Sequence, residues 1–234
     1  MGLPLFCHRA IKAGMNSLFD GDFGTVGAVM ISCEKRADER LRTLASFSEA
    51  LDQPRAVLGD GLVVMQDDFL GPEVTRPQER QERVSLAAIE AGILAGWDYF
   101  LFLEDDVRFN RYIVHNLQEW EPLLDNVVHM ASLYNPNVAG PNSPCPYVNA
   151  YIAHPRRVYG SQAFLLSRQF ARHVARHWNE EIGMQDIKIS RLASHLGPIF
   201  YHAPSLVQHA GTVSTWTDDA RFHTAPDFSE DFRA

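Results

Sequence analysis

The segment DYFLFLEDDV, residues 98–107, is an apolar strand that runs directly into three consecutive carboxylates, Glu104, Asp105 and Asp106. A strand this apolar is typical of an open α/β sheet covered on both faces, and ligands of such sheets bind at the carboxyl edge of the strands. Carboxylate oxygens suit Mg²⁺ or Mn²⁺, and these ions suit phosphates, so the segment predicts a metal–diphosphate site. The acids can also simply charge the start of the helix that follows near Asn110, and that arrangement needs no ligand. We call the three acids the acid cluster.

The rest of the chain alternates between short apolar runs and longer amphipathic segments. Residues 26–32 are predicted to form a buried strand, and residues 37–51 a helix with charged residues in its first turn. Further strands are predicted at 61–65, 127–131, 160–167 and 198–202, and further helices at 77–95, 111–124, 168–178 and 185–196. This alternation predicts an α/β fold with a Rossmann-type mixed central sheet flanked by helices.

The segment over residues 134–159 lacks such a pattern and is rich in proline. A proline-rich loop of this length inside a compact domain is usually functional, so we expect it to lie over the site and to face the substrate. With 234 residues the chain can bury one substantial core. We expect one domain over residues 26–215, preceded by an extension, residues 1–25, and followed by an acidic tail, residues 216–234.

The composition argues against several classes of protein. A formal net charge of -8 disfavours a chain whose main partner is a nucleic-acid backbone, because that affinity depends on clustered Lys and Arg. The cysteines Cys7, Cys33 and Cys145 are far apart and form no C-x-x-C pair, which argues against zinc knuckles and a disulfide framework and favours a reducing compartment. No apolar run is long enough to cross a bilayer, so we expect no membrane span.

Three further segments contain groups that suit a metal–diphosphate site. Lys35 and Arg36 follow the first long strand, where a nucleotide would lie, although basic residues after a strand are commonly ordinary surface residues. Asp186 begins a helix behind a glycine, so it can act as a general base or merely as the helix N-cap, and the spacing alone favours the cap. His209 lies in a turn of small residues after the last strand and can supply an imidazole ligand to a divalent ion.

A pair of histidines, His173 and His177, has the i, i+4 spacing of a zinc pair on a helix. The glutamate of the H-E-x-x-H motif is absent from this segment. A solvated basic face is therefore the favoured interpretation.

Two ordered motifs resemble one family. The strand end LEDD, residues 103–106, and the segment PSLVQHAGTVS, residues 204–214, resemble in this order the LEDD strand end and the P-S-L-x-Q-H-x-G-T-x-S segment of the N-acetylglucosaminyltransferase IV-like group of GT-A-fold glycosyltransferases. In that group, too, a helix like the one that contains Glu82 leads to the LEDD strand. The resemblance implies a GT-A-like single domain, a divalent ion, Mn²⁺ or Mg²⁺, and a nucleotide-sugar donor, with a UDP-sugar as the default for the fold.

The resemblance also implies roles for individual residues. Asp106 and His209 would ligate the metal ion, which would stabilise the leaving diphosphate as a Lewis acid. Asp186 would be the catalytic base that takes the proton of the acceptor hydroxyl, with inversion at the anomeric carbon. Asp105 and Glu104 would hold the ribose or the metal's waters, and Glu34, Arg36 and Arg83 are the further candidates for binding the nucleotide-sugar.

We therefore predict a metal-dependent glycosyltransferase that moves a hexosyl or N-acetylhexosaminyl group to an acceptor hydroxyl. The family's Golgi members have a membrane anchor and luminal disulfides, and their absence from this sequence indicates a cytoplasmic enzyme of bacterial or viral origin. The acceptor is open: a glycan, another hydroxyl compound, or, less in keeping with the negative charge, a hydroxylated base in viral DNA. Two rival functions are a catalytically silent nucleotide-sugar-binding module and a phosphotransferase or nucleotidyltransferase. The latter would need a second acidic pair or a glycine-rich phosphate loop, neither of which is evident in the sequence.

Overall fold

The computed structural model describes residues 14–53, 58–59, 61–136, 143–211 and 224–234. Its strands are β1 (Phe19–Gly21), β2 (Gly24–Ser32), β3 (Leu62–Gln66), β4 (Tyr99–Glu104), β5 (Val107–Phe109), β6 (Met130–Ser132), β7 (Ser143–Pro144), β8 (Ala150–Ala153), β9 (Ala163–Ser167), β10 (Ile199–His202) and β11 (Val207–His209). Its helices are α1 (Ala37–Ala50), α2 (Pro77–Ala95), α3 (Ile113–Gln118), α4 (Glu121–Leu124), α5 (Arg168–His177) and α6 (Gln185–Ala193).

Nine of the described strands form one mixed sheet in the order β1-β2-β4-β9-β6-β10-β8-β7, with β3 also paired to β2. β2 runs parallel to β3 and β4, β9 runs antiparallel to both β4 and β6, and β10 runs parallel to β6. The carboxyl ends of β2, β3, β4, β6 and β10 therefore lie along one edge of the sheet. This is the edge at which open α/β sheets bind ligands.

Both faces of the sheet are covered, and β4 shows how the sequence achieves this. Its side chains alternate between two apolar clusters, with Leu101 and Leu103 on the face of α1, α3 and α4, and Phe100 and Phe102 on the face of α2, α5 and α6. All four side chains are fully buried. A strand buried on both faces must be apolar at every position, so the predicted fold class, a mixed sheet flanked by helices, is confirmed. No helix in the described part of the chain has the length and apolarity to cross a membrane.

The helix predicted over residues 111–124 is instead two short helices, α3 and α4. The break falls at Trp120, which is buried and whose indole Nε1 donates a hydrogen bond to the Asn149 carbonyl at 3.0 Å. Pro122 lies in the first turn of α4. A proline is tolerated in the first turn of a helix but not in its interior, so the chain restarts the helix there.

The proline-rich segment over residues 134–159 is more regular than predicted. It contains β7, β8 and a 3₁₀ turn, Pro155–Arg157, while residues 137–142 lie outside the described residues. β8 pairs antiparallel with β10 over four residue pairs, which extends the main sheet. The expectation of a loop without regular structure is wrong for this part of the segment. β10 supplies the backbone hydrogen bonds that make β8 a strand, and a distant partner strand cannot be predicted from the local sequence pattern.

The end of the chain, residues 224–234, packs on the domain. The side-chain amide of Asn110 donates to the carbonyls of Ser229 and Phe232, each at 2.8 Å, and Asn116 Oδ1 accepts the backbone N–H of Ala234 at 2.8 Å. Two buried asparagines therefore fix this segment next to the start of α3.

His202, the last residue of β10, provides a pH-dependent test of this packing. Its Nδ1–H donates to the Pro204 carbonyl at 2.7 Å, and burial lowers its pKa from 6.5 to about 4. Because this folded-state pKa lies below the unfolded-state value, the unfolded state takes up the proton first. The contribution of His202 to the free energy of unfolding is therefore full above pH 6.5 and is lost as the pH falls toward 4.

We predict that His202→Asn, whose amide can still donate to Pro204, weakens the acid sensitivity of the fold. Relative to its own value at pH 7.5, the wild-type free energy of unfolding should fall by about 3 kcal/mol more than that of the variant at pH 4. Urea unfolding across this pH range measures the difference. If the free energies of unfolding of the wild type and the variant fall in parallel with pH, His202 is not the group that titrates.

Candidate active site

The acid cluster lies at the carboxyl end of β4, and one basic side chain reaches into it. The Nε atom of Arg36 lies 2.8 Å from Asp105 Oδ1, and its Nη2 atom forms an ion pair with Asp106 Oδ2. The Arg36 side chain is only 11% exposed. Arg36 ends a 3₁₀ turn directly after β2, so the parallel pairing of β2 with β4 brings the two segments together.

Asp105 is fixed in this position by hydroxyl groups. Its Oδ2 atom accepts a hydrogen bond from Ser32 Oγ at 2.5 Å, and Ser32 Oγ accepts one from Arg40 Nη1 at 2.7 Å. Thr43 Oγ1 donates to the Asp105 carbonyl at 2.8 Å and accepts the Val107 N–H at 3.0 Å. Burial raises the pKa of Asp105 to about 6, against the opposing effects of Arg36 and Ser32.

His209 reaches Asp106 through a small second sheet. β5 and β11 pair antiparallel, with His209 opposite Val107, and this register places His209 Nε2 2.9 Å from Asp106 Oδ2. Burial opposes ionisation of Asp106, but His209 and Arg36 together outweigh it and hold the Asp106 pKa below its ordinary value. A Cβ atom at Gly211 would lie only 2.5 Å from Asp106 Oδ2, so a residue without a side chain is required beside this pair.

Glu104, the first acid of the cluster, is held by the segment that leads into β9. Its Oε1 accepts a hydrogen bond from Ser161 Oγ at 2.5 Å, and Ser161 Oγ accepts one from Gln185 Nε2 at 2.8 Å. Burial and the charge of Asp106 together raise the pKa of Glu104 to about 7, against the opposing effects of Ser161 and Arg36. Glu104 therefore favours a positively charged ligand near it.

Asp186 lies on the same side of the site as Glu104. Its Oδ2 accepts the Gly160 N–H at 2.9 Å, and its Oδ1 accepts the Ile187 N–H at 2.8 Å. Gly160 precedes Ser161, so Asp186 and Glu104 are anchored by adjacent residues. The N-cap of α6 is Met184, so Asp186 is not the cap residue itself, but from the first turn its carboxylate accepts one of the helix's first N–H groups. Burial raises the pKa of this carboxyl group above its ordinary value.

Two of the predicted donor-binding residues are not brought to the cluster. Glu34 is exposed on the 3₁₀ turn, and Arg83 is half exposed on α2, where it pairs with Glu79 at 2.7 Å. Helical i, i+4 spacing explains that ion pair without any ligand. Neither residue has a contact with the acid cluster in the described part of the structure.

The sequence interpretation missed several groups at this edge. Ser32, Thr43 and Ser161 were not expected to hold the acids, and Tyr134 and Tyr201 were not expected nearby. Tyr134 follows β6, and burial raises its pKa, as do the charges of Glu104 and Asp106. Burial also raises the pKa of Tyr201, as does Asp186. Their position at strand ends was the one available signal.

The donor set fits a divalent ion that arrives with a phosphate-bearing ligand. Asp106 and His209 are in contact, and Asp106 Oδ1 is buried without a hydrogen-bond partner among the described residues. Within those residues no three His, Cys, Asp or Glu side chains already form a metal-binding group, and this holds for His173 and His177 as well. One or two protein ligands completed by substrate phosphates are common for Mg²⁺. The residues therefore suit an ion shared with a diphosphate rather than a resident structural metal.

Comparison with known proteins gives similarity of structure but not of sequence. No protein-family model and no curated protein sequence matches the chain. A similar solved structure is a glycosyltransferase involved in the glycosylation of the major capsid of PBCV-1, with 13% identity, coverage of 81% of this chain and 94% of that chain, and a TM-score of 0.49. The galactosyltransferase LgtC, solved with donor and acceptor sugar analogs, has 12% identity, coverage of 82% and 90%, and a TM-score of 0.47.

A third similar structure is A197 from STIV, with 13% identity, coverage of 79% of this chain and 84% of that chain, and a TM-score of 0.45. The N-acetylglucosaminyltransferase IV-like group finds no support in these comparisons. Values this low leave the activity to be inferred from the site.

Thr43 offers a test of how the acid cluster is held. We predict that Thr43→Val lowers the free energy of unfolding by about 2 kcal/mol, because two buried backbone groups lose their hydroxyl partner. Thr43→Ser, which keeps the hydroxyl and loses a methyl group, should cost clearly less. Urea denaturation of the three proteins gives both values. A loss in Thr43→Ser as large as that in Thr43→Val would mean that the hydroxyl stabilises this turn no more than the methyl group does.

Proposed function

We propose that the protein is a GT-A-type glycosyltransferase that moves a sugar from a nucleotide-sugar donor, by default a UDP-sugar, to an acceptor hydroxyl. The observation that carries the proposal is the contact between Asp106 and His209 at 2.9 Å. These residues belong to the LEDD and PSLVQHAGTVS segments, the two motifs on which the family resemblance rests. Motifs that meet at the ligand-binding edge of the sheet support one shared site.

On this proposal the donor diphosphate lies over the acid cluster with Mn²⁺ or Mg²⁺. Asp106 and His209 hold the ion, which supplies Lewis-acid stabilisation of the departing diphosphate. Arg36 supplies a positive charge next to the acid cluster, and a guanidinium suits the phosphate oxygens of the donor. Asp105 keeps the end of β4 in position through Ser32 and Thr43.

Asp186 is the proposed base. A base must take the acceptor proton from the side of the sugar opposite the leaving diphosphate, and the product is then inverted at the anomeric carbon. The two N–H bonds to Asp186 fix the direction of its carboxylate, and its burial moves the pKa upward, toward the range useful for a base. The acceptor carries the hydroxyl group and is otherwise unassigned.

The first test is ligand binding. A thermal-shift panel of nucleoside diphosphates and nucleotide-sugars, each with and without Mn²⁺, should show metal-dependent stabilisation by a uridine nucleotide. At a hundredfold excess over Kd this stabilisation amounts to about 2.7 kcal/mol. Asp106→Asn should abolish the metal-dependent part. If that variant retains Mn²⁺-dependent affinity for UDP, Asp106 is not a metal ligand.

Turnover separates an enzyme from a silent binding module. Donor hydrolysis by the purified protein should be measurable, and Asp186→Asn should lower kcat by about a hundredfold or more with donor affinity nearly unchanged. Asp125→Asn, at an exposed acid after α4, is the matched control and should behave as wild type. Equal loss of donor binding and kcat in Asp186→Asn would make Asp186 a structural residue.

A further inference from the structure

Arg36 has an unusual position for a residue that is expected to bind a diphosphate. Its guanidinium group touches both Asp105 and Asp106, the two carboxylates at the end of β4. The Asp106 oxygen that it touches, Oδ2, is the same oxygen that His209 contacts. Arg36 therefore already neutralises the Asp106 carboxylate beside His209, the neighbourhood in which a metal ion held by Asp106 and His209 would lie.

A guanidinium and a divalent ion cannot share this place. At a separation of about 4 Å, like charges repel by several kcal/mol near a protein surface, with one of the two carrying a double charge. The acid cluster therefore has one cation position and two candidates for it. Which candidate holds the position depends on what else is bound.

The attachment of Arg36 allows it to leave. It ends a three-residue 3₁₀ turn whose other two residues, Glu34 and Lys35, are exposed, and its side chain is long and unbranched. Arg40, by contrast, is tied to Ser32 Oγ at 2.7 Å and to the Cys33 carbonyl at 3.3 Å. The hydrogen bonds that hold Asp105 to Ser32 and Thr43 do not involve Arg36, so they need not break when its side chain leaves.

We propose that Arg36 is the resident counter-ion of the acid cluster and competes with the metal ion until a diphosphate arrives. This inference rests on the proposed function in one respect, the diphosphate. The Arg36 guanidinium then pairs with the diphosphate. Asp106, which no longer pairs with Arg36, is left free to bind the divalent ion. Metal alone then binds weakly, and metal and nucleotide each strengthen the binding of the other. The ion is recruited together with the donor and is not stored in the free protein.

The test is a titration of the protein with Mn²⁺ in the absence of nucleotide, in which electron paramagnetic resonance measures the concentration of free ion. Arg36→Gln should bind Mn²⁺ at least about tenfold more tightly than wild type, because a unit charge in contact with both carboxylates is gone. Arg42→Gln is the matched control: Arg42 is on α1, the helix that begins directly after Arg36, its side chain is 63% exposed, and it pairs with Glu39 at 3.3 Å. It should bind Mn²⁺ as wild type does.

UDP supplies the second readout. In wild type, saturating UDP should tighten Mn²⁺ binding by about tenfold or more, and this coupling should shrink in Arg36→Gln. Unchanged or weaker Mn²⁺ binding by folded Arg36→Gln, with UDP binding and turnover present in wild type, overturns the competition and leaves the proposed function intact. Tighter Mn²⁺ binding by the variant, with no effect of UDP on either protein, supports the competition and counts against the nucleotide-sugar function.

Arg36→Lys covers the case in which the glutamine variant does not fold. Lysine keeps the charge but cannot contact both carboxylates through a planar fork. Its Mn²⁺ affinity should lie above that of wild type and below that of Arg36→Gln. Wild-type affinity in Arg36→Lys, with circular dichroism showing a folded protein, overturns the inference independently.

Discussion

Neutralisation of the acid cluster is the constraint on which the rest of this structure depends. Asp105 and Asp106 are each only 3% exposed, at the end of the strand that lies in the middle of the core. Burying unpaired charges costs several kcal/mol per ion, so β4 can end in this way only if positive charge is brought to it. Arg36 and His209 bring that charge from opposite ends of the chain. The pairings of β2 with β4 and of β5 with β11 bring Arg36 and His209 together at this edge of the sheet.

The small β5–β11 sheet is how the chain accomplishes the longer of these two connections. β5 begins one residue after Asp106, so pairing it with β11 transmits the position of the acid directly to His209. Val207 N–H and Leu206 N–H both donate to the Leu133 carbonyl, which ties the same segment to the end of β6. The segment that contains His209 is therefore hydrogen-bonded to the ends of two strands of the main sheet and does not lie on a free loop. Residues held in this way lose less conformational entropy when a ligand binds.

Much of this fold could be predicted from the sequence, and the parts that could not share a physical reason. β2, β4 and β9 are continuous apolar runs and α2 is a long amphipathic segment, and each was predicted within about three residues at its ends. β5, β7 and β11 are two or three residues long, so their existence depends on a partner strand and not on their own pattern. The break at Trp120 follows the same rule, because a distant carbonyl, that of Asn149, holds the ring.

The site divides along a similar line. The acid cluster, Arg36 and His209 were identified from residue type and position at strand ends, where chemistry is visible in the sequence. Glu34 and Arg83 were assigned on weaker grounds, and helical geometry turned their side chains to solvent. Ser32, Thr43 and Ser161 were missed because a serine or threonine is common everywhere and only its partner reveals its role.

Those missed hydroxyls explain how a charged site can be rigid and still receive a charged ligand. Ser32, Thr43 and Ser161 hold Asp105 and Glu104 with three hydrogen bonds of 2.5 to 2.8 Å that add no charge. Fixed cations at the same positions would have held the acids as firmly but would have neutralised the site permanently. With neutral donors, burial is left to raise the pKa values of Asp105 and Glu104 to about 6 and about 7. A carboxyl group with a raised pKa responds strongly to a cation that binds next to it. The cation lowers the pKa, so the carboxyl group ionises and then attracts the cation. The geometry is therefore fixed by groups without charge, and the charge balance is left to Arg36 and to the ligand.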